Sequence, residues 1–153
     1  MSLIHDPDAA GADEAGRGPL AGPLVVAAVR LPNGFDLTDL NDSKKLDAAT
    51  RESLEKRIKE GTEWAIEVIP ASEVDRLNPL RASLEGMGRC LTRLSPMKAY
   101  VDGNALPKEL TFPAEAVVKG DGKMACIAAA SILAKTERDR LMVALAEVYP
   151  GYG

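Results

Sequence analysis

Residues 11–29 read GADEAGRGPLAGPLVVAAV. This stretch limits the possible folds more than any other. Asp13 and Glu14 sit side by side at the end of a run of small residues, a Gly16-Arg17-Gly18 turn follows, and then comes a strongly apolar, Val-rich run. The pattern predicts one strand over Ala9–Glu14 and a second over Leu24–Leu31, joined through the glycine- and proline-rich region 16–23. Two carboxylates carried to the edge of an apolar core repel each other, so their placement needs a chemical reason.

The surrounding chain is that of an ordinary globular domain. It has 153 residues, 46% apolar and 27% charged, enough for one domain with a real core, and we read residues 1–153 as one unit. Apolar residues are spread along its length, which argues against disorder. No apolar run approaches the roughly 18 residues of a membrane span. Residues 1–10 lack the basic start of a signal peptide. Cys90 and Cys126 have no metal-type spacing and fall in apolar helical patterns, so they read as buried, reduced thiols of a cytoplasmic protein, expected to be a monomer. The net charge of −4 counts mildly against nucleic-acid binding, although an acid cluster neutralised by cations needs only a local basic stripe to meet phosphate.

Beyond the opening pair of strands, residues 46–60 read as an amphipathic helix with Asp42-Ser43 as its start signal. Residues 62–70, TEWAIEVIP, alternate Trp64, Ile66 and Val68 with polar or small neighbours, as a half-buried strand does. Residues 71–77 form a short helix or turn. Residues 79–94 form a helix, with Pro79 near its start and Leu80, Leu84, Met87 and Leu91 on one face. Two short strands follow, over 98–102 and 115–119, and a long Ala-rich helix over 122–149 closes the chain. This order predicts an α/β fold, a mixed sheet with helices packed on it.

Four acids fall at ends of these elements. Asp13 and Glu14 end the first strand, Asp102 ends a later one, and Asp121 lies between the last strand and the long helix. Each has a plain explanation: a solvated strand end, a turn residue before Gly103, a helix N-cap. If the first strand and the Asp102 strand are parallel neighbours, however, three carboxylates meet at one sheet edge, with Asp121 leaning over them. Such a cluster implies bound cations or raised pKa values, and its hard oxygen donors suit Mg²⁺ or Mn²⁺ rather than zinc. His5, the only histidine, has no cluster around it and reads as incidental, on a loose N-terminus.

Beside the acids, Gly16 and Gly18 let backbone approach a ligand closely, and Arg17 brings a planar cation suited to phosphate; a plain hairpin connection is the alternative. In NDSKKL, residues 41–46, Lys44 and Lys45 sit at an expected helix start, either as a phosphate site or as surface lysines on a capped helix.

Four segments, GADEAGRGPLAGPLVVAAV, LNDSKKL, VDGN and KGDGKMACIAAASILAKTERDR, occur in the order and rough spacing of ribonuclease HII, a type 2 ribonuclease H, and the chain resembles that family from Gly11 to Gly153. The resemblance implies a ribonuclease H-like mixed sheet of about five strands flanked by helices. It places an acidic tetrad on Asp13, Glu14, Asp102 and Asp121, as catalytic and metal-binding residues. It places a 2′-hydroxyl-sensing element, acting mostly through backbone, on Gly16, Arg17 and Gly18. Lys44 and Asn104 fall where nucleic acid is touched, and Ser131 matches a serine whose role is packing or phosphate contact. The implied activity is Mg²⁺- or Mn²⁺-dependent cleavage of RNA in RNA–DNA hybrids, and cleavage on the 5′ side of ribonucleotides embedded in duplex DNA.

Gly122 and Cys126 stand where the family more often has Ala or Ser, a small change. The family usually continues past YPGYG with a basic segment, whose tyrosine stacks on the junction sugar, and with further helices. Without these, the expectation for 1–153 is a chain that folds and binds metal but holds substrate more weakly. The competing readings are a weakly active fragment and a nuclease of the same broad fold acting on DNA; a non-enzymatic role leaves the four acids unexplained.

Overall fold

A computed structural model describes residues 2–16, 22–41 and 45–149. A five-stranded mixed sheet lies between two helical layers. The strands are β1 (Ala9–Ala15), β2 (Leu24–Arg30), β3 (Glu63–Ile69), β4 (Lys98–Asp102) and β5 (Ala114–Val117), in the spatial order β3-β2-β1-β4-β5. The helices are α1 (Thr38–Asn41), α2 (Ala48–Gly61), α3 (Ala71–Leu77), α4 (Pro79–Leu94) and α5 (Ala125–Val148). β1 runs antiparallel to β2 and parallel to β4, and β5 runs parallel to β4.

β2 reads LVVAAVR because both of its faces are covered. Val25, Ala27 and Val29 join Leu54 and Ile58 of α2 and the first half of α5 in one core cluster. Leu24, Val26 and Ala28 join Met87, Cys90 and Leu91 of α4 in the other. Residues 125–134 of α5 are apolar or small on every side and entirely buried, as a helix clamped onto a sheet must be. The close approach begins at Gly11, where a Cβ would run into the backbone of Cys126 and Ile127. An ion pair ties the outer helix to this frame: Glu55 of α2 meets Arg140 of α5 at 2.8 Å, and is flanked within α2 by Lys59 at 3.3 Å.

Several expectations change. α2 starts at Ala48, with the Asp47 carboxylate accepting the Thr50 N–H at 2.8 Å; Asp42-Ser43 lies outside the described residues apart from its neighbour Asn41, which ends an unexpected α1. β3 buries Ala65 and Ile69, while Trp64 and Val68 are 38% and 43% exposed. β3 is an edge strand whose covered face is set by α4, and only Ile66 packs against the opposite layer. Leu80 is 49% exposed, because α4 seats itself on the sheet through Ala82, Ser83 and Gly86. β5 spans Ala114–Val117 and ends before Lys119, whose backbone is left-handed at φ 54°.

The N-terminus is not loose. The Ile4 N–H donates to the Lys123 carbonyl at 2.9 Å, the Ala125 N–H donates to the Ile4 carbonyl at 2.8 Å, and Leu3 is buried in the α5 core. His5 packs here too, its Nε2 lying 3.2 Å from the Pro32 carbonyl oxygen. This pairing holds Met124 extended, so α5 begins at Ala125 and Asp121 is not its N-cap; Asp121 lies instead in a 3₁₀ turn, Gly120–Gly122. Among the described residues no helix is long and apolar enough to cross a membrane.

Candidate metal centre

The parallel pairing of β1 and β4 brings the acids together. Ala12 is opposite Val101, so the next residues, Asp13 and Asp102, leave the sheet side by side at the carboxyl ends of the two strands. Side chains alternate along a strand. Gly11 faces α5, so Asp13, two residues on, faces α5 as well. Tyr100 packs with Met124 and Ile127, so Asp102 also leaves on the α5 side. Glu14 comes off the other face of the strand end. One carboxylate oxygen from each of Asp13, Glu14 and Asp102 lies within 4.8 Å of the others.

Asp13 is 5% exposed. Burial, then the charges of Asp102 and Glu14, and at longer range that of Asp121, push its carboxyl from the ordinary 3.8 up to about 8; the Glu14 N–H, donating to its Oδ1 at 2.7 Å, works in the opposite direction. Asp102 Oδ1 accepts the Gly120 N–H at 2.8 Å, which anchors the 3₁₀ turn carrying Asp121 to the end of β4. Asp121 therefore stands over the site, close enough to act on Asp13 but outside the tight group of three. The Gly120 contact was not legible locally, because 18 residues separate its partners.

Three converging carboxylates, one of them driven toward its neutral form by burial and by its neighbours' charge, form a donor set for a hard divalent cation, with oxygen ligands only. Neither cysteine competes, since burial pushes both thiols up to about 12 and both sit in the core.

The other expected contacts spread out from this centre. Gly16 follows β1 directly, with φ at 107°, a conformation that suits glycine. Arg17, Gly18 and Lys44 lie outside the described residues. Asn104 is exposed two residues beyond Asp102, on the same strand end. Ser131 is buried in α5 among Ala128, Ala130 and Ile132, a position that suits packing. A residue not anticipated from sequence is Arg138 of α5. Its Nε donates to the Pro23 carbonyl at 3.1 Å, and its side chain lies against Gly16.

Comparison with known proteins agrees with this architecture. The family model for ribonuclease HII matches residues 10–153. A ribonuclease HII of Ruegeria pomeroyi is 53% identical over 146 residues, covering 94% of this chain and 62% of that protein. One from Neisseria meningitidis serogroup B is 50% identical over 147 residues, covering 94% and 76%. Among solved structures, the complex of PCNA with RNase HII from Archaeoglobus fulgidus superposes with a TM-score of 0.79 at 34% identity, covering 95% of this chain and 79% of that one.

Proposed function

The chain belongs to the ribonuclease HII family, and from that premise and the acid cluster we propose that it is a divalent-metal-dependent endonuclease that recognises ribonucleotides within a duplex. Its substrates are the RNA strand of RNA–DNA hybrids and single ribonucleotides embedded in duplex DNA, cut on the 5′ side to leave 3′-hydroxyl and 5′-phosphate ends. The observation that carries the reading is the meeting of Asp13, Glu14 and Asp102 within 4.8 Å, immediately before a glycine in a left-handed turn.

Asp13, Glu14 and Asp102 would hold Mg²⁺ or Mn²⁺, with Asp121 completing the set from the 3₁₀ turn. A pair of such ions, when bound, supplies a water of lowered pKa and charge neutralisation at both the attacking and the leaving oxygen of an in-line displacement. The chain's residues prepare that chemistry. The sheet fixes Asp13 and Asp102 side by side, and the Glu14 and Gly120 N–H groups hold one oxygen of each. A sugar differs between RNA and DNA only by its 2′-hydroxyl, so the test for ribose has to be made by groups fixed close to the scissile phosphate. We assign that role to the backbone of Gly16, which follows the acid-bearing strand directly, together with Arg17 and Gly18. Lys44 and Asn104 are proposed to meet the nucleic-acid backbone, while the buried Ser131 shapes the core beneath. We read the protein as a monomer acting in the cytoplasm.

The test is cleavage of a duplex carrying one ribonucleotide, with Mg²⁺ or Mn²⁺, beside an all-DNA duplex of the same sequence. Metal-dependent cutting at the ribonucleotide alone, reduced about 100-fold or more by Asp102→Asn in a folded protein, is the expected result. Equal cutting of both duplexes favours a DNA nuclease of the same fold, and an unaffected Asp102→Asn variant removes the cluster from the chemistry.

A further inference from the structure

Gly16 and Pro23 bound the connection between β1 and β2, and one side chain from the far end of the sequence holds both. The Arg138 Nε donates to the Pro23 carbonyl oxygen at 3.1 Å, across 115 residues of sequence. The same Nε and the adjoining Cδ occupy the place where a side chain at Gly16 would begin, and the Pro23 carbonyl closes that space from another side, 2.9 Å from the position of a Cβ. Gly16 is thus moulded against Arg138 in a conformation, φ 107°, that only glycine adopts without strain. Arg138 sits well along α5, beyond the segment that is wholly buried, and so projects from the same rigid helix that covers Asp13. Arg138 is half-buried, and one of its amino nitrogens, Nη2, is buried and makes no hydrogen bond among the described residues.

We propose that Arg138 is a positioning residue for ribose recognition: by clamping Gly16 to Pro23 it fixes the backbone that tests for the 2′-hydroxyl, without taking part in metal binding. The inference rests on the functional reading above and adds to it a residue that touches neither metal nor substrate. The logic is geometric. A sugar reader made of backbone has no side chain of its own to aim, so its accuracy is that of whatever holds the backbone, and small misplacements next to a reacting centre are expensive. Arg138 couples Gly16 to α5, and α5 is seated on β1 at Gly11, so the reader and the acids share one frame.

Three variants separate the parts of the clamp. Arg138→Ala removes it, Arg138→Met keeps the stem that fills the space beside Gly16 but cannot donate to Pro23, and Arg138→Lys keeps both a stem and a donor. The readouts are the ratio of affinities for a ribonucleotide-containing duplex and its all-DNA counterpart, measured by fluorescence anisotropy with Ca²⁺ in place of Mg²⁺; Mn²⁺ affinity by titration of the protein alone; and hydrogen–deuterium exchange of the segment 14–24. Arg138→Ala is expected to lower the affinity ratio about tenfold or more and to speed exchange in that segment. Mn²⁺ affinity stays within about twofold, as for independent sites. Arg138→Lys recovers most of the ratio and Arg138→Met less. An affinity ratio within about twofold of the original in folded Arg138→Met overturns the proposal, as does a loss that falls equally on both duplexes or on Mn²⁺. If the unmodified protein shows no preference for the ribonucleotide duplex, the functional reading fails; unchanged exchange in Arg138→Ala then overturns the clamp itself, and faster exchange upholds it as a structural element alone.

Discussion

Replacing Asp13 by Asn should make the metal-free protein more stable, and increasingly so as pH rises. The sign runs opposite to that of most carboxylates. Asp13 is moved up from 3.8 to about 8 in the folded state, so over that interval the folded chain holds a proton that the unfolded chain has lost. Stability from this group is complete below the unfolded value and is lost as pH climbs toward the folded one. At about pH 7 the separation is roughly three pH units, which corresponds to about 4 kcal/mol of destabilisation. The like charges beside Asp13 spread its titration, and we expect at least half of that figure, about 2 kcal/mol, to be measurable.

Asn has the right shape for the test. Its Oδ1 can still accept the Glu14 N–H, and its amide puts a neutral donor in place of a charge beside the Asp102 and Glu14 carboxylates. Urea unfolding of both proteins in a chelating buffer, from about pH 4 to about pH 8, should show a gap near zero at the acid end that opens with pH; a gain of about 2 kcal/mol is ~4–8 °C in Tm for a chain of this size. Saturating Mn²⁺ should then restore the original protein, since a ligand at 100 times its Kd contributes about 2.7 kcal/mol, and should do much less for Asp13→Asn. A gap that does not vary with pH, or an Asn variant that is the less stable of the two at about pH 8, would refute the claim that the buried cluster is strained by its own charge.

Other perturbations test the frame. Gly11→Ala should cost about 3 kcal/mol or more in urea unfolding, because the added Cβ meets the backbone of Cys126 and Ile127 and neither can rotate away; a change under about 0.5 kcal/mol would show that α5 shifts freely. Ile58→Ala, in the fully buried contact of α2 with the α5 layer, should cost ~2–5 kcal/mol with the pH dependence of stability unaltered. Cys90 and Cys126, buried and with thiols pushed up to about 12, should react with a thiol reagent only as fast as the protein opens, so denaturant should accelerate labelling in step with unfolding.

Local chemistry made much of the frame readable. β4 falls at Lys98–Asp102, α3 at Ala71–Leu77 and α4 at Pro79–Leu94 as expected, because each is bounded by a strong signal: Asp102-Gly103, Pro70, and Asn78-Pro79, where the Asn78 side chain accepts the Arg81 N–H. The acid positions were legible for a related reason, as each sits at a strand end or turn. What local pattern does not hold is which side of an element another element covers. On β3 the large residues Trp64 and Val68 suggest the core face, yet α4 lies over Ala65 and Ile69. On α4 itself, a search for large apolar residues finds Leu80, while the helix approaches the sheet through Ala82, Ser83 and Gly86. Arg138 belongs to the same class of hidden information, since nothing within a hundred residues of it announces Gly16 or Pro23.

The small residues of β1 connect fold and site. A strand reading AAGADEA gives up side-chain packing along its length, which is unfavourable for a central strand taken alone. What it gains is proximity: without a Cβ at Gly11, the backbone of α5 comes down onto β1. That descent takes Asp13, on the same face two residues further on, out of water, and burial is the largest cause of its raised pKa. A bulkier strand would hold α5 off, admit solvent around Asp13 and let its carboxylate ionise with its own hydration. The cluster would then have less reason to take up a cation. On this argument Gly11 belongs to the metal centre as much as to the core, although it offers no ligand atom, and the charge strain at Asp13 follows from the packing.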